Sequence, residues 1–240
     1  MDSKKLPPAF AVLAGFLGLF LLYAVSPALA QTPRKSAPYV GYALSGRPCS
    51  SFKGEVQGYG PYDYRNYSSS DHKLKIVEEY HFTRQVAALK GGKNSKTPIG
   101  DLNYTLMAFP NHHRALFAMI RLYTSPVGEK WKSYPQFSSR PPPECFLQRA
   151  IHFRPKDAHL YLLYGIYLHR LGKTEKAVQK YHHALKIDPQ LSEAWYNLGL
   201  ALLKEKKFEK ARQAAQKAYK DGFPLPGLRK RLAQAGYHIH

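Results

Sequence analysis

The sequence predicts a mainly α-helical fold, an α-α superhelix of stacked helix pairs, on two observations. The first is a motif that returns after 34 residues. Its two copies are Tyr161-x-x-Tyr164-Gly165-x-x-Leu168 and Trp195-x-x-Leu198-Gly199-x-x-Leu202. The second observation is that small residues return at the same spacing. A fixed period of this length is typical of helix pairs that stack on one another, and such stacks more often bind partners than catalyse reactions.

Small residues are expected where two helices of a pair touch. The alanines with this spacing are Ala177 and Ala184 in one repeat, and Ala211 and Ala218 in the next. Together with Gly165 and Gly199 they let helix backbones approach closely, while the bulky residues of the motif fill the space between pairs. Tyr181 is the aromatic residue of the second helix, and Pro189 ends one pair and turns the chain toward the next.

Apolar spacing and helix-breaking residues predict the order of the helices. The repeats contain helices at 157–171, 174–187, 191–204 and 208–220, preceded by helices at 111–123 and 144–153. We interpret residues 111–224 as about three helix pairs, the first of which is degenerate and carries a Pro-rich insertion at 124–143. Residues 225–240 are expected to form a C-terminal capping helix.

These residues resemble the tetratricopeptide repeat (TPR). The resemblance is in register over residues 157–221 and extends in a degenerate form to 111–155, where Ile120 stands at the glycine position. It implies a superhelix of helical hairpins that binds a protein or peptide.

The region before the repeats has a different composition. Residues 31–48 are predicted to be a linker, because they contain prolines and no apolar period. Residues 49–110 are expected to form a small, irregular cap region, for which a mixed α/β structure is one alternative. Within it, residues 76–82 suggest a short strand or extended segment, and Thr83 is expected to cap a short helix. Phrases such as Gly-Pro-Tyr-Asp-Tyr at 60–64 are similar to those of exported bacterial TPR proteins with an uncharacterised N-terminal region.

Residues 1–30 are predicted to be a secretory signal peptide. Lys4 and Lys5 precede an apolar run, and Ala28 and Ala30 are the small residues that a signal peptidase reads, so cleavage is expected after Ala30. The alternative is an uncleaved N-terminal membrane anchor. Either arrangement predicts a periplasmic or secreted protein and argues against nucleic acid as a partner.

The chain carries a formal charge of +20. This charge favours contact with an anionic polysaccharide or lipid surface, although Lys-rich helix faces also serve solubility. Cys49 and Cys145 are the only cysteines, and in an oxidising compartment they are expected to form one disulfide. Closing that loop would stabilise the fold by roughly 4 kcal/mol.

The sequence does not contain the common catalytic motifs G-x-S-x-G or H-E-x-x-H, or a Gly-rich phosphate loop. We therefore predict no catalytic residue and no cofactor. His112, His113 and Asp101 are candidate metal ligands, but adjacent histidines on a helix point about 100° apart, so no metal site is predicted. The alternative to a binding protein is an envelope hydrolase or glycan-acting enzyme that uses residues 49–110. Its acid/base candidates are Asp63, Glu78, Glu79 and His81.

The expected partner-binding groove is the inner face of the superhelix, lined by the first helix of each pair. The resemblance implies these inner positions: His159, Leu162, Ile166, His169, Arg170, Glu193, Tyr196, Leu200, Leu203 and Lys204. An apolar floor with a basic edge suits an extended peptide or an amphipathic helix with an acidic end. We expect an exported scaffold or assembly factor of the cell envelope. Three alternatives remain: enzymatic activity, charge-driven binding of anionic polymers, and a groove filled by the N-terminal region or the insertion.

Overall fold

The computed structural model describes residues 36–52 and 59–239, and within them the fold is a stack of helices without strands. The helices before the repeats are α1 (His72–His81), α2 (Arg84–Ala87), α3 (Pro98–Ala108), α4 (His113–Thr124), α5 (Pro126–Glu129), α6 (Pro135–Ser139) and α7 (Pro143–Phe153). The repeats and the C-terminal cap comprise α8 (Ala158–Arg170), α9 (Thr174–Ile187), α10 (Ser192–Lys204), α11 (Phe208–Tyr219) and α12 (Gly227–Gln234). The mainly α-helical fold is confirmed. The expected signal peptide, with Ala28 and Ala30, lies outside the described residues.

The prediction of a short strand or extended segment at residues 76–82 is wrong, because most of this segment belongs to α1. The run of Ile76 and Val77 suggested a strand, but only Val77 is buried, and it lies three residues after buried Leu74. That spacing is helical. Asp71 begins the helix, since its side chain accepts a hydrogen bond from the backbone N–H of Lys73. The residues thought to be irregular thus add a further amphipathic helix to the stack.

The two repeats pack as the small residues predict. α8 packs against α9, α10 packs against α11, and α9 contacts α10. A Cβ on Gly165 would lie 2.4 Å from a ring carbon of Tyr181, a residue that is fully buried. Only hydrogen fits between α8 and that ring, so this close approach explains why the first helix carries glycine where the second carries a large aromatic residue.

Helices α4 and α7 lie before these repeats. α4 contacts both α7 and α8, as expected if α4 and α7 form a degenerate first pair. The insertion between α4 and α7 holds α5 and α6. Trp131 donates a hydrogen bond to the carbonyl of Leu89, and Phe137 stacks on Tyr123 at a centroid distance of 4.3 Å. The insertion therefore packs against the N-terminal helices and the end of α4.

Residues 36–52 bind to α7, although the part up to residue 48 was expected to be a linker. Cys49 forms the expected disulfide with Cys145, with Cα atoms 5.5 Å apart. The backbone N–H of Leu44 donates to Glu144, and the buried guanidinium of Arg149 donates to the carbonyl of Ala37. Side chains of α7 thus provide hydrogen-bond partners for backbone groups of residues 36–52.

The C-terminal helix α12 covers the last repeat. Leu228 and Leu232 are fully buried against the main core, and α12 contacts both α10 and α11. It therefore takes the place of the first helix of a further pair. Within residues 36–52 and 59–239, the structure contains no helix with the length and hydrophobicity of a membrane span.

The turns after α8 and α10 provide a test of the repeat geometry. Gly172 has φ of 75°, and Lys206, at the matching position 34 residues later, has φ of 59°. A side chain in this left-handed region costs about 1–2 kcal/mol. Lys206→Gly relieves that strain but adds freedom to the unfolded chain, about 0.5–1 kcal/mol. We expect a net gain of about 0.5 kcal/mol in the free energy of unfolding, measured by urea denaturation.

The reciprocal variant is Gly172→Ala. It should lower the free energy of unfolding by about 1 kcal/mol, because it introduces the strain that Lys206 already carries. If both variants destabilised the protein equally, the equivalence of the two turns would be refuted.

Candidate functional site

The inner face of the repeats exposes charged side chains from the first helix of each pair. Of the ten groove positions expected from the sequence, His159 and Arg170 on α8 and Glu193 and Lys204 on α10 are exposed. His169, Leu200 and Leu203 are half-buried. These seven side chains are accessible to a partner. Of the four exposed ones, Arg170 and Lys204 are basic and His159 becomes so when protonated.

The other three expected groove residues belong to the core. Leu162, Ile166 and Tyr196 are 1%, 8% and 8% exposed. Tyr196 packs on Phe223 at a centroid distance of 4.9 Å, and its hydroxyl meets Gly227 at the start of α12. The chain itself therefore covers much of the expected apolar floor, and a partner would meet a more polar surface than the sequence suggested.

Helix α4 contributes two residues to this face that the sequence analysis missed. Aligning Ile120 with Gly165 places Phe117 and Arg121 at the positions of Leu162 and Ile166. Phe117 is 36% exposed, and the guanidinium of Arg170 lies 5.7 Å from the centre of its ring. The sequence contained the information needed to find Phe117 and Arg121. Aligning α4 with the first helix of the next repeat assigns both residues to the inner face.

Basic side chains outnumber the one acidic side chain, Glu193, on the accessible inner face. Partial burial and the nearby charge of Arg121 lower the pKa of Arg170. Burial, followed by the charges of Lys204 and Arg231, likewise lowers the pKa of His169. Among the described residues, these four cations have no carboxylate within ion-pair distance: Arg121, Arg170, Lys204 and Arg231. They come from α4, α8, α10 and α12, so the positive charge runs along the stack.

A second polar region lies where the N-terminal helices meet α8. The carboxylate of Asp63 is buried and accepts hydrogen bonds from Asn111 Nδ2 at 2.6 Å, Arg154 Nε at 2.5 Å and Arg65 Nη2 at 3.0 Å. Burial alone would raise the pKa of Asp63, but these donors outweigh it and hold the pKa well below its usual range. Asp63 is therefore an ionised structural anchor.

Asp157 occupies the same region as the N-cap of α8. Its side chain accepts a hydrogen bond from the backbone N–H of His159, and its Oδ2 lies 2.9 Å from His113 Nε2 and 3.3 Å from Asn111 Nδ2. Burial opposes ionisation of Asp157, but the bonds from His113 and Asn111 lower its pKa overall. Asn111 donates to both Asp63 and Asp157 and so links the N-terminal region to the repeats.

The acid/base candidates of the enzyme hypothesis are not brought together. Glu78 is bonded to His112 and Arg114 at 3.0 and 3.2 Å, whereas His81 is bonded to Asp101 at 3.0 Å. An open cavity of about 480 Å³ adjoins Asp63, but neither Glu78 nor His81 lines it. Its lining comprises Pro61, Tyr62, Asp63, Asn66, Tyr67, Asp71, Lys73 and Arg154. Asp63 is the one candidate at the cavity, and arginine and amide donors already occupy its oxygens.

The three candidate metal ligands from the sequence, His112, His113 and Asp101, also have different partners in the structure. His112 is fully buried and accepts a hydrogen bond at Nδ1 from the backbone N–H of Ala115, so its Nε2 carries the proton donated to Glu78. Burial lowers the pKa of His112 and favours this neutral form. Asp101 instead pairs with His81. His113 meets Asp157 and His159, whose ligand atoms all lie within 4.8 Å of one another. The sequence alone could not reveal these three residues as neighbours, because His113 lies far from Asp157 and His159 along the chain.

Comparisons with known proteins agree with the repeats. A family profile described as TPR repeat matches residues 167–206, and a second, described as Tetratricopeptide repeat, matches residues 192–221. No curated protein matches the chain.

Solved structures that are similar to this chain include the following two. One is titled "Functional Characterization of Pseudomonas Aeruginosa pilF", with 18% identity, a TM-score of 0.45 and coverage of 67% of this chain. The match spans 64% of that protein, less than two thirds of its length. The other is titled "Crystal structure of MamA", with 19% identity, a TM-score of 0.41 and coverage of 68% of this chain and 79% of that one.

The bonds around Asp63 predict a pH-dependent contribution to stability. At pH 7, Asp63→Asn should lower the free energy of unfolding by about 1.5–3 kcal/mol, because Arg65 and Arg154 lose a charged acceptor. The depressed pKa of Asp63 means that this contribution is complete above the unfolded pKa, about 3.9, and is lost as the pH falls toward the folded pKa. The difference between wild type and variant should therefore shrink below about pH 4.

The matched control is Asp221→Asn, because Asp221 is exposed. It should change stability by less than about 0.5 kcal/mol. Equal effects of the two variants, or a difference that stays constant down to pH 3, would contradict an ionised anchor at Asp63.

Proposed function

We propose, from the match of residues 167–221 to tetratricopeptide repeat profiles, that the chain is a protein-binding scaffold or assembly factor of the cell envelope. The observation that carries the proposal is the row of cations on the inner face. Arg121, Arg170 and Lys204 lie on successive first helices, and Arg231 follows on the capping helix. A partner segment with carboxylates spaced along it would complement this row.

The proposed ligand is an acidic peptide segment with a few apolar side chains. Phe117, Leu200 and Leu203 are the accessible apolar groups among the cations. The contacts of the insertion lie elsewhere than on this surface. Trp131 donates a hydrogen bond to the carbonyl of Leu89, and Phe137 stacks on Tyr123. Such a mixed surface favours a partner that supplies both charge and apolar contact over one that supplies charge alone.

We further propose that the protein acts outside the cytoplasm. The apolar segment before Ala30 and the disulfide between Cys49 and Cys145 support this location. N-terminal sequencing of protein from its native host tests the proposal. A chain beginning at Gln31 indicates cleavage, and an intact N-terminus in the membrane fraction indicates an anchor. Recovery from the cytoplasm with both thiols reduced would contradict export.

Charge-driven binding of anionic envelope polymers is the second candidate function. The formal charge of +20 supports it, and affinity based on charge alone would fall steeply with salt. It would also depend on lysines anywhere on the surface. If the binding affinity depends only on inner-face residues, the scaffold proposal is supported over this alternative. Catalysis is not proposed, because Asp63, Glu78 and His81 lie in separate clusters.

Charge reversal on the inner face is the direct test of partner binding. Peptides selected against the protein from a displayed random library should be rich in Asp and Glu with apolar neighbours. The double variant Arg170→Glu, Lys204→Glu should weaken their binding at least about 10-fold, or about 1.4 kcal/mol, as measured by fluorescence anisotropy.

The matched control is Lys176→Glu, Lys210→Glu, which makes the same charge change on exposed positions of α9 and α11. This variant should bind the peptides as the wild type does in 0.15 M salt. Equal weakening by the two double variants would support binding by overall charge. Unchanged binding by the inner-face variant would refute the proposed surface.

A further inference from the structure

Three potential metal ligands from two separate parts of the sequence meet beside the start of α8. His113 is the first residue of α4, Asp157 caps α8, and His159 is the second residue of α8. His113 Nε2 lies 2.9 Å from Asp157 Oδ2, and the two imidazole rings stack with centroids 4.9 Å apart. One ligand atom from each side chain falls within 4.8 Å of the others.

We propose that His113, Asp157 and His159 bind a divalent transition-metal ion, with Zn²⁺ as the best match. Two imidazole nitrogens and one carboxylate oxygen form a donor set that Zn²⁺ accepts, and a fourth position would remain for water. Donor atoms around a tetrahedral zinc are about 3.3 Å apart, given bonds of about 2.0–2.1 Å. His113 and Asp157 are already close to that separation. His159 is exposed, and its ring, which stacks on that of His113, would turn toward the ion.

The surroundings of Asp157 favour metal binding over a loose surface contact. Its carboxylate is buried, and the backbone N–H of His159 and Nδ2 of Asn111 hold it in place. Such hydrogen bonds orient a ligating carboxylate and are the usual support of a metal site. Because His113 is half-buried and His159 is exposed, an ion can enter from solvent without unfolding of the core.

The nearest competing cation is Arg65. Its Nε lies 3.5 Å from Asp157 Oδ2, but its Nη2 also bonds Asp63 at 3.0 Å, and 42% of its side chain is exposed. Arg65 can therefore keep its bond to Asp63 while the ion takes its place beside Asp157. The bound ion would link α4 to α8 through His113 and His159, and His159 is also one of the exposed inner-face residues.

Cobalt substitution tests this site in the full chain without an affinity tag. Co²⁺ is added to metal-stripped protein, and the visible spectrum reports four-coordinate binding. The starting protein carries His238→Ala and His240→Ala, because the C-terminal His-Ile-His sequence could bind metal adventitiously. We expect one Co²⁺ per chain, displaced by Zn²⁺, and a rise in the melting temperature with Zn²⁺.

His159→Ala in this background should weaken Co²⁺ binding at least 10-fold and abolish the thermal shift. Its metal-free melting temperature should stay unchanged, because the side chain is exposed. His182→Ala, another exposed histidine of the repeats, is the matched control and should bind as before. The proposal is overturned if removing the tail histidines eliminates binding, or if His159→Ala and His182→Ala bind Co²⁺ equally.

Discussion

The structure depends on two buried carboxylates, Asp63 and Asp157, which lie where the N-terminal helices meet the repeats. A buried charge is stable only with partners, and here these come from several elements. Asn111 donates to both carboxylates, and Arg154 reaches Asp63 from the end of α7. Removing one partner would leave charge unpaired, so the cluster favours a single arrangement of α4 relative to α7 and α8.

This constraint determines which residues line the inner face. With α4 held against α8, Phe117 and Arg121 come beside Arg170 and extend the positive surface of the repeats. The disulfide between Cys49 and Cys145 acts on the opposite end of the same helix pair by holding the first described segment to α7. The N-terminal region thus contributes to the proposed binding surface indirectly, through the position of α4.

The sequence predicted the repeats well because their information is local. Small residues and bulky residues alternate at helical spacing, and the boundaries of α8 to α11 follow from breakers such as Gly172 and Pro189. The segment at 76–82 was mistaken because β-branched residues favour strands locally, whereas burial of Leu74 and Val77 decides the helix. Leu162, Ile166 and Tyr196 were assigned to the groove, but contacts from other helices bury them. Likewise, only the fold brings His113 to His159.

The N-terminal helices and the repeats should unfold as one cooperative unit, because Asp63 and Asp157 join them. Native-state hydrogen exchange at increasing denaturant tests it most directly, because it resolves the opening of each helix. We expect amides of α3, α4 and α8 to lose protection in the same transition, with the same dependence on denaturant. Loss of protection in α3 and α4 at much lower denaturant than in α8 would show that the N-terminal helices open on their own, and would contradict it.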